Sequence, residues 1–439
     1  MPDWIKHAVW WHLYPLGFLG AEAENAEAPV VHRLDRLEPW LDYAVELGAS
    51  GLALGPIFAS ETHGYDTIDH FRIDPRLGDE EDFYRLVEVA RGRGLKILLD
   101  GVFNHVGRRF GAFQAALAGG PEAPEAAWFR LFWPRYGGEP DYACFEGHRQ
   151  LVTLNHDEPA VADYVVRVMS HWLDRGAAGW RLDAAYAMPR QFWADVLPRV
   201  RRAHPEAYVF GEVIHGDYAA FVEQTGVDAV TQYELWKAIW SAINDHNFFE
   251  LSWALNRHNI FLEHFVPQSF VGNHDVTRIA SQIEDERLLP HALVLLFTLG
   301  GTPSVYAGDE QAFRGIKENR AGGDDAVRPA FPAVPGELAP HGWPIFRLHQ
   351  DLIGLRRRHP WLHRARTTIQ HLTNRTMVYE AADAGQSLVV ALNLTDETRL
   401  LPAPGARTVL AGEATTSDAG TTDAHVELPP FGWAVLDRA

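Results

Sequence analysis

An arginine and an aspartate lie two residues apart in the apolar stretch Gly179-Trp180-Arg181-Leu182-Asp183. If this stretch is a β-strand, alternation of the side chains puts Arg181 and Asp183 on one face, about 7 Å apart. A guanidinium in that position keeps a carboxylate ionised and fixes its direction, which suits a nucleophile or an anchor for a hydroxyl-rich ligand. The alternative interpretation is an ordinary ion pair at a strand end, and the rest of the chain must decide between the two.

Two further carboxylates also follow short apolar segments. Glu212 comes directly after residues 208–211, and Asp275 closely follows residues 269–272. Three carboxylates at the same end of one sheet are costly to bury unless they are paired or used. This repetition favours a reactive cluster over an isolated ion pair.

A pair of carboxyl groups on either side of a bond is the apparatus of glycoside hydrolysis, with one nucleophile and one general acid. Asp183, held ionised by Arg181, suits the nucleophile, and Glu212, which has no basic neighbour in the sequence, suits the acid. Asp275 is then a second anion that stabilises positive charge at the anomeric carbon. The alternative is a divalent-metal site, since Asp, Glu and His are also ligands, although Arg181 is an unfavourable neighbour for a cation.

These residues need a scaffold that brings strand ends together, and the sequence predicts one. Apolar residues at 83, 86, 87 and 90 predict an amphipathic helix over residues 80–93, and similar helices separate continuous apolar strands elsewhere. Such a pattern is typical of a parallel sheet that is covered on its faces. Eight strand segments predict a (β/α)8 TIM barrel. A doubly wound open sheet is the alternative, but no glycine-rich phosphate loop accompanies it. The segments are residues 8–18, 51–57, 95–99, 180–182, 208–211, 229–233, 269–272 and 303–306.

The alternation of predicted strands and helices is interrupted in two regions of the chain. Residues 106–155 are rich in glycine and proline and are predicted to form an inserted domain after the third strand. The barrel then comprises residues 1–105 and 156–362. Residues 363–439 contain short alternating stretches between Gly, Asp, Asn and Pro turns, which predicts a C-terminal antiparallel β-sandwich.

Composition limits the partners of this chain of 439 residues. A formal net charge of −19 argues against nucleic acid, because phosphate backbones need surfaces rich in Lys and Arg. The longest apolar run, near residues 293–301, is too short to span a bilayer, so we expect no membrane partner. The first residues resemble a strand more than a secretion signal, and the single cysteine, Cys144, fits a reducing compartment. We therefore expect a cytoplasmic protein.

Six stretches, in order, resemble motifs of the α-amylase family of glycoside hydrolases (family 13), over about residues 8–360. The resemblance implies that Asp183 is the nucleophile, Glu212 the acid/base and Asp275 the transition-state stabiliser, with retention of anomeric configuration. It also implies that the insertion is domain B and that the sandwich is domain C. We expect that no cofactor is required, and we do not predict calcium, although Asn104 of the motif is present. The −1 sugar site is implied to contain His63, Tyr65 as stacking platform, His105, Arg181 and His274. The motifs are residues 63–70, 100–105, 179–183, 210–213, 270–275 and 301–310.

Weaker signals concern the subgroup. Val152-Thr153-Leu154-Asn155 is similar to a short motif of the neopullulanase and cyclomaltodextrinase group. Members of that group usually carry an extra N-terminal domain that is used for dimerisation. We expect this chain to lack it, because its first strand begins near residue 8, and we predict no oligomeric state.

The chain departs from the family pattern just after Asp183. Many α-1,4-acting members have Lys and His at the third and fourth following positions, where this chain has Tyr186 and Ala187. These two residues are therefore expected to shape substrate binding beyond the cleavage point. The departure favours short, branched, α-1,6-linked or cyclic substrates over long starch.

The resulting hypothesis is a retaining α-glucoside hydrolase for short or cyclic malto-oligosaccharides with α-1,4 or α-1,6 linkages, such as cyclodextrins or cyclic maltosyl-maltose. The first alternative is a transglycosylase or isomerase on the same scaffold, similar to trehalose synthase or sucrose phosphorylase. The second is a non-catalytic binding relative, which would be expected to lose one of the three carboxylates. All three are present here.

Overall fold

A computed structural model describes residues 1–25, 29–135, 138–320 and 322–438. Within these residues, eight parallel strands are hydrogen-bonded in the order β6-β5-β4-β3-β2-β1-β8-β7. A parallel bridge from Thr231, just after β6, to Gln268 in β7 joins the two ends of this sheet into a barrel. The predicted TIM barrel is thus confirmed, and the open-sheet alternative is wrong. The strands are β1 (Trp10–Leu13), β2 (Gly51–Leu54), β3 (Lys96–Gly101), β4 (Gly179–Leu182), β5 (Tyr208–Gly211), β6 (Ala229–Val230), β7 (Gln268–Phe270) and β8 (Thr302–Tyr306).

An outer layer of helices covers these strands. The helix over Glu80–Gly92 shows why: Phe83, Leu86, Val87 and Ala90 are buried on one face, as the apolar spacing predicts. A capping box closes its first turn: the Asp79 side chain accepts from the backbone N–H of Asp82, and the Asp82 side chain accepts from the backbone N–H of Asp79. The main helices are α1 (Glu38–Leu47), α2 (Glu80–Gly92), α3 (Pro159–Asp174), α4 (Arg190–Ala203), α5 (Tyr218–Thr225), α6 (Tyr233–Asn244), α7 (Phe248–His264), α8 (Leu289–Thr298) and α9 (Trp343–Arg358).

The barrel core contains many large aromatic side chains. Every residue of β1, β2, β4 and β5 is buried, because the helices cover one face of each strand and the barrel interior covers the other. Large rings fill the space between the strands and helices. Six tryptophans are among the largest fully buried side chains: Trp10, Trp11, Trp40, Trp172, Trp180 and Trp193.

The connection from β3 to α3 is long and holds small elements of its own. Strands His105–Gly107 and Leu151–Thr153 pair antiparallel at its base. Helix Gly111–Gly119 lies between them and buries Phe113 and Ala116, although the glycine- and proline-rich sequence gave no helical signal. A two-residue hairpin pairs Leu131–Phe132 with Asp141–Tyr142. Residues 136 and 137 fall outside the description, and the domain boundaries at 106–155 stay a proposal.

The C-terminal region is an antiparallel β structure, as predicted. A five-stranded sheet has the order β9-β10-β11-β16-β13, and a three-stranded sheet has the order β12-β15-β14. Buried residues from both sheets, including Val378, Val389, Val426 and Leu436, form a separate small core. The strands are β9 (Arg366–Leu372), β10 (Thr376–Asp383), β11 (Gln386–Asn393), β12 (Arg399–Pro402), β13 (Ala406–Gly412), β14 (Thr415–Ser417), β15 (His425–Leu428) and β16 (Trp433–Arg438).

Among the described helices, none combines the length and the apolar character that crossing a membrane requires.

Candidate active site

The polar residues singled out in the sequence meet at the carboxyl ends of the barrel strands. Asp100 in β3 and Arg181 in β4 occupy neighbouring positions, since their Cα atoms are register partners. Asp183 follows β4, and Glu212 follows β5. Because all eight strands are parallel, the residues at their carboxyl ends share one rim of the barrel, where TIM barrels carry their active sites.

Arg181 is the centre of a buried cluster of charges. Its Nη1 lies 2.7 Å from both carboxylate oxygens of Asp100 and 3.2 Å from Oδ1 of Asp183. Its Nη2 lies 2.7 Å from Oε1 of Glu212. One guanidinium therefore orients three carboxylates. The sequence has no basic residue beside Glu212, but Arg181 of the adjacent strand supplies a cation that the chain order does not reveal.

Glu212 is held by two further donors. The backbone N–H of Ala184 donates to Oε2 at 3.0 Å, and the left-handed backbone of Ala184, at φ 43°, turns the chain just past Asp183. The hydroxyl of Tyr233 donates to Oε1 at 3.1 Å. Asn273 in turn donates to the Tyr233 oxygen at 3.0 Å. Residues in or after β4, β6 and β7 thus fix the direction of this one carboxyl group.

Asp275 has a separate cation of its own. Arg328 Nη2 lies 2.6 Å from Oδ1, and His274 Nε2 lies 2.9 Å from Oδ2. The backbone N–H of Asp275 donates to the side-chain oxygen of Asn273 at 2.8 Å. Arg328 also donates to the carbonyl oxygen of His274 at 2.9 Å, so it holds both residues of the pair. Asp275 is thereby ionised and directed into the cleft.

The two aspartates have opposite electrostatic environments. Burial raises the pKa of Asp183 well above its usual range, and repulsion from Glu212 adds to this effect against the opposing charge of Arg181. Burial acts in the same sense on Asp275, but His274 and Arg328 outweigh it and hold the pKa of that carboxyl well below its usual range. Pairs of groups whose surroundings push their pKa values apart are typical of acid–base sites.

Aromatic rings and histidines form the wall beside the carboxylates. The rings of Tyr65 and His274 are parallel within 3°, with centroids 5.6 Å apart. The Tyr65 hydroxyl bonds to Nε2 of His274 and lies 3.2 Å from Asp100. His105 stacks on Phe145 with centroids 4.8 Å apart. Burial lowers the pKa of His105 to about 3, so its imidazole is neutral at neutral pH.

These groups surround an open cleft of about 400 Å³. Tyr186 lies on its wall and donates from its hydroxyl to Glu146 of the inserted region at 2.9 Å. Ala187 is exposed and is not among the residues that line this cleft. The cleft is lined by Asp183, Glu212, Asp275, Tyr65, His105 and Tyr186, among others.

A second cavity of about 580 Å³ adjoins the cleft, and Tyr65 and Asp324 line both. His63 lies on this second cavity, where its Nδ1 accepts a hydrogen bond from the Tyr65 backbone at 3.2 Å. Tyr14 donates to the carbonyl oxygen of His63 at 2.7 Å. The structure therefore brings nine of the ten candidate residues to one site, with Ala187 just outside it.

Among the described residues, only His32, Asp79 and Asp82 have the mutual spacing of metal ligands. Asp79 and Asp82 already cap the start of α2, and none of the three lines the cleft. We assign no metal to them.

Four residues that the sequence interpretation did not place in the site have direct roles in its geometry. Asp100 was noted at a strand end but not assigned. Tyr233 donates a hydrogen bond to Glu212, Asn273 donates to Tyr233, and Arg328 binds Asp275. Tyr233 begins α6 and Arg328 lies in the long loop after β8, where no periodic pattern marks a residue that reaches the site.

The parallel barrel carries three carboxylates at the carboxyl ends of its strands, beside arginines and stacked rings. This combination defines a class of enzymes, the (β/α)8 glycoside hydrolases. A family model described as "Alpha amylase, catalytic domain" matches residues 33–334, and one described as "Domain of unknown function (DUF3459)" matches residues 378–436. The chain therefore belongs to the α-amylase family and is a glycoside hydrolase of that family.

Known relatives extend this likeness over nearly the whole chain. A cyclomaltodextrinase of Geobacillus thermopakistaniensis (strain MAS1) is 30% identical over 99% of this chain and 77% of the relative. The native form of the Nostoc punctiforme debranching enzyme superposes with a TM-score of 0.85 at 26% identity, covering 100% of this chain and 99% of that one. A cyclic α-maltosyl-(1→6)-maltose hydrolase from Arthrobacter globiformis superposes with a TM-score of 0.84 at 26% identity, covering 100% of both chains.

Proposed function

We propose that this chain is a retaining α-glucoside hydrolase that acts on short or cyclic malto-oligosaccharides by double displacement. The observation that carries the proposal is the shared guanidinium of Arg181, which contacts Asp183 at 3.2 Å and Glu212 at 2.7 Å. Two carboxyl groups bound to one guanidinium lie close together. This favours the separation of about 5–5.5 Å found in retaining enzymes over the about 6.5–9.5 Å of inverting ones.

In the first step, Glu212 protonates the glycosidic oxygen while a carboxylate oxygen of Asp183 attacks the anomeric carbon. The bond from that carbon to the leaving oxygen breaks, and a glycosyl ester with Asp183 forms. Asp275, kept ionised by Arg328 and His274, stabilises the positive charge that develops on the sugar ring. Tyr65 offers its flat ring to the apolar face of the same sugar.

In the second step, Glu212 takes a proton from water, and the water oxygen attacks the anomeric carbon. The ester bond to Asp183 breaks and the carboxylate is restored, so the configuration of the sugar is inverted twice and retained overall. Arg181 stabilises the departing carboxylate as its negative charge returns. A sugar hydroxyl that replaced water at this step would give transfer instead of hydrolysis.

The choice of substrate rests on the relatives and on the cleft wall. The relatives named above act, by their names, on cyclomaltodextrins, on branch points or on cyclic maltosyl-maltose. The Tyr186–Glu146 contact bridges the barrel rim and the inserted region beside Asp183. We assign this bridge to recognition of the sugar beyond the cleavage point, and we keep the cytoplasmic location as a prediction.

A product profile tests the proposal. The panel is maltotriose, panose, β-cyclodextrin, pullulan, cyclic maltosyl-maltose and soluble starch, with product anomers followed by NMR during the first turnovers. We expect the small and cyclic substrates to be cleaved faster than starch and the first product to be the α-anomer. A β-anomer would exclude the double displacement, and added glucose incorporated into product would identify a transferase.

A further inference from the structure

A groove of about 710 Å³ lies between α9 of the barrel and the C-terminal sheets. Asp351 and Arg358 line it from α9, and Glu413, Phe431 and Trp433 line it from the C-terminal region. None of its lining residues also lines the active-site cleft. Its volume lies within the about 300–1,000 Å³ that is typical of small-molecule sites.

Two aromatic rings on one side of the groove are held in place by the backbone. Gly412 has φ +85°, and a Cβ there would lie 2.8 Å from Cε3 of Trp433, so the absent side chain lets this strand press against the indole. Phe431 has φ 55°, a left-handed backbone that bulky residues rarely adopt. The guanidinium of Arg287 lies 3.9 Å from the centroid of the Phe431 ring. Phe431 and Trp433 thus place two rings along one side of the groove.

Arg287, beside the Phe431 ring, is paired with Asp285, whereas the three charged residues that line the groove have no side-chain partner within the described part of the chain. No side-chain hydrogen bond or ion pair is formed by Asp351, Arg358 or Glu413. Gln350 donates its amide N–H to the carbonyl oxygen of Glu46 at 2.8 Å, which leaves its side-chain oxygen as an acceptor. The groove therefore combines flat apolar faces with unused donors and acceptors.

This combination matches the chemistry of a pyranose ring, which has an apolar C–H face and a circumference of hydroxyl groups that both donate and accept. An apolar peptide would bury the unpaired charges at a high cost. A nucleic acid would meet two carboxylates on a chain whose net charge is −19.

We propose that this groove is a second, non-catalytic binding site for an α-linked gluco-oligosaccharide chain, with Trp433 and Phe431 as stacking surfaces. The choice of an α-glucan rests on the proposed function, whereas the choice of a sugar rests on the groove itself. A glucan bound there raises the effective concentration of chain ends near the enzyme surface.

Native electrophoresis in gels that contain amylopectin tests this site on the intact protein, with hydrolysis of maltotriose measured in parallel. We expect amylopectin to retard the wild type and Asp183→Asn alike. Trp433→Ala should raise the apparent dissociation constant at least about fivefold and leave kcat/KM for maltotriose unchanged. Asp351→Ala and Glu413→Ala, both at exposed positions, should weaken retention without removing a ring. Arg347→Ala, exposed on the same helix but outside the groove, is the matched control.

The proposal is overturned if amylopectin does not retard the wild type, or if all three groove variants migrate as the wild type does. Loss of retention in Trp433→Ala together with a fall in its kcat/KM for maltotriose, with both exposed variants unchanged, also overturns it, because a folding defect then explains the result. A wild type that is retarded through the groove but hydrolyses no malto-oligosaccharide leaves this site standing and refutes the proposed function instead.

Discussion

Arg181 lies 2.7 Å from both oxygens of Asp100, closer than the 3.2 Å that separates it from Asp183. Asp100 thus takes much of the charge that would otherwise stabilise an ionised Asp183. Burial, together with the charges of Glu212 and Asp100, raises the pKa of Asp183 well above its usual value of 3.8. The nucleophile is therefore directed by Arg181 but only partly neutralised by it.

The pH dependence of kcat/KM follows from this arrangement. Asp183 must be ionised to attack, so activity should fall as pH drops through its raised pKa, well above 3.8. Asp100→Asn removes a negative charge that repels Asp183 and frees Arg181 to interact more strongly with Asp183. Both effects lower the pKa of Asp183, so the acidic limb of the profile should move to lower pH. The measurement is kcat/KM for maltotriose from pH 4 to pH 9 in both proteins.

Asp174→Asn, at an exposed carboxylate of α3, is the control for this shift and should leave the profile unchanged. An acidic limb that stays in place or moves upward in Asp100→Asn would contradict the electrostatic account of the pair. Because Asp100 is buried and paired, its replacement should also lower the free energy of unfolding, by about 3–5 kcal/mol, so folding is checked by circular dichroism first.

The role of Glu212 is separable from that of Asp183 by the leaving group. With maltotriose, Glu212→Gln should lower kcat by about 10²–10⁴-fold, the usual size of general-acid catalysis. With 4-nitrophenyl α-maltoside the loss in the first step should be much smaller, because nitrophenolate leaves without a proton. Asp183→Asn should remove activity on both substrates. Equal losses for both substrates in Glu212→Gln would refute its role as acid.

The sequence was informative wherever a residue belongs to a regular segment. Continuous apolar strands such as β2 and β4 and the spacing of α2 predict a barrel, because burial on both faces demands such patterns. The parallel direction of the strands then places Asp183 and Glu212 at one rim without any knowledge of distances. Helix Gly111–Gly119 was missed, since its composition is poor in the charged residues that mark one face.

Contacts between distant segments could not be predicted. Arg328 lies 53 residues from Asp275 along the chain, in a loop where no periodicity constrains its direction. The same limit applies to Glu212: Arg181 is 31 positions away, and only the pairing of β4 with β5 makes them neighbours. Charge pairing across strands depends on register, which a single sequence does not contain.

Substrate preference should respond to the bridge between Tyr186 and Glu146. Tyr186→Phe removes the hydroxyl that donates to Glu146 at 2.9 Å and keeps the ring. We expect the ratio of kcat/KM for β-cyclodextrin to that for maltoheptaose to change severalfold, because one exposed hydrogen bond contributes about 1 kcal/mol. Hydrolysis of 4-nitrophenyl α-glucoside, whose leaving group is no sugar, should stay within about twofold of the wild type.

Ala187→His tests the neighbouring position, where the family pattern has histidine. If this position contributes to recognition, the change should raise the preference for linear α-1,4 chains. Because Ala187 is exposed and lies off the cleft wall, an unchanged product profile would remove it from the site and leave Tyr186 as the determinant.

Arg328 should matter for catalysis although no sequence motif marked it. Arg328→Ala removes the cation 2.6 Å from Asp275, so the pKa of Asp275 should rise and its carboxylate should lose its direction. We expect kcat to fall by about 10²-fold or more, the cost of removing a group that supports transition-state stabilisation. Arg366→Ala, a surface arginine paired with Glu263, serves as control. A variant with normal kcat would show that His274 alone suffices.

Glu310 should make stability depend on pH. It is fully buried just after β8 and accepts from Tyr43 and from the backbone of Gly308 at 2.9 Å each. Burial raises its pKa from 4.5 to about 7. Between pH 4.5 and pH 7 the folded state therefore keeps a proton that the unfolded state has released. The free energy of unfolding falls as pH rises over this interval, by about 3 kcal/mol in all.

Glu310→Gln cannot titrate, and its thermal midpoint should fall by several degrees less than that of the wild type over this range. Glu46→Gln, at an exposed site on α1, should follow the wild type, and parallel curves for all three proteins would mean that Glu310 stays ionised in the folded enzyme.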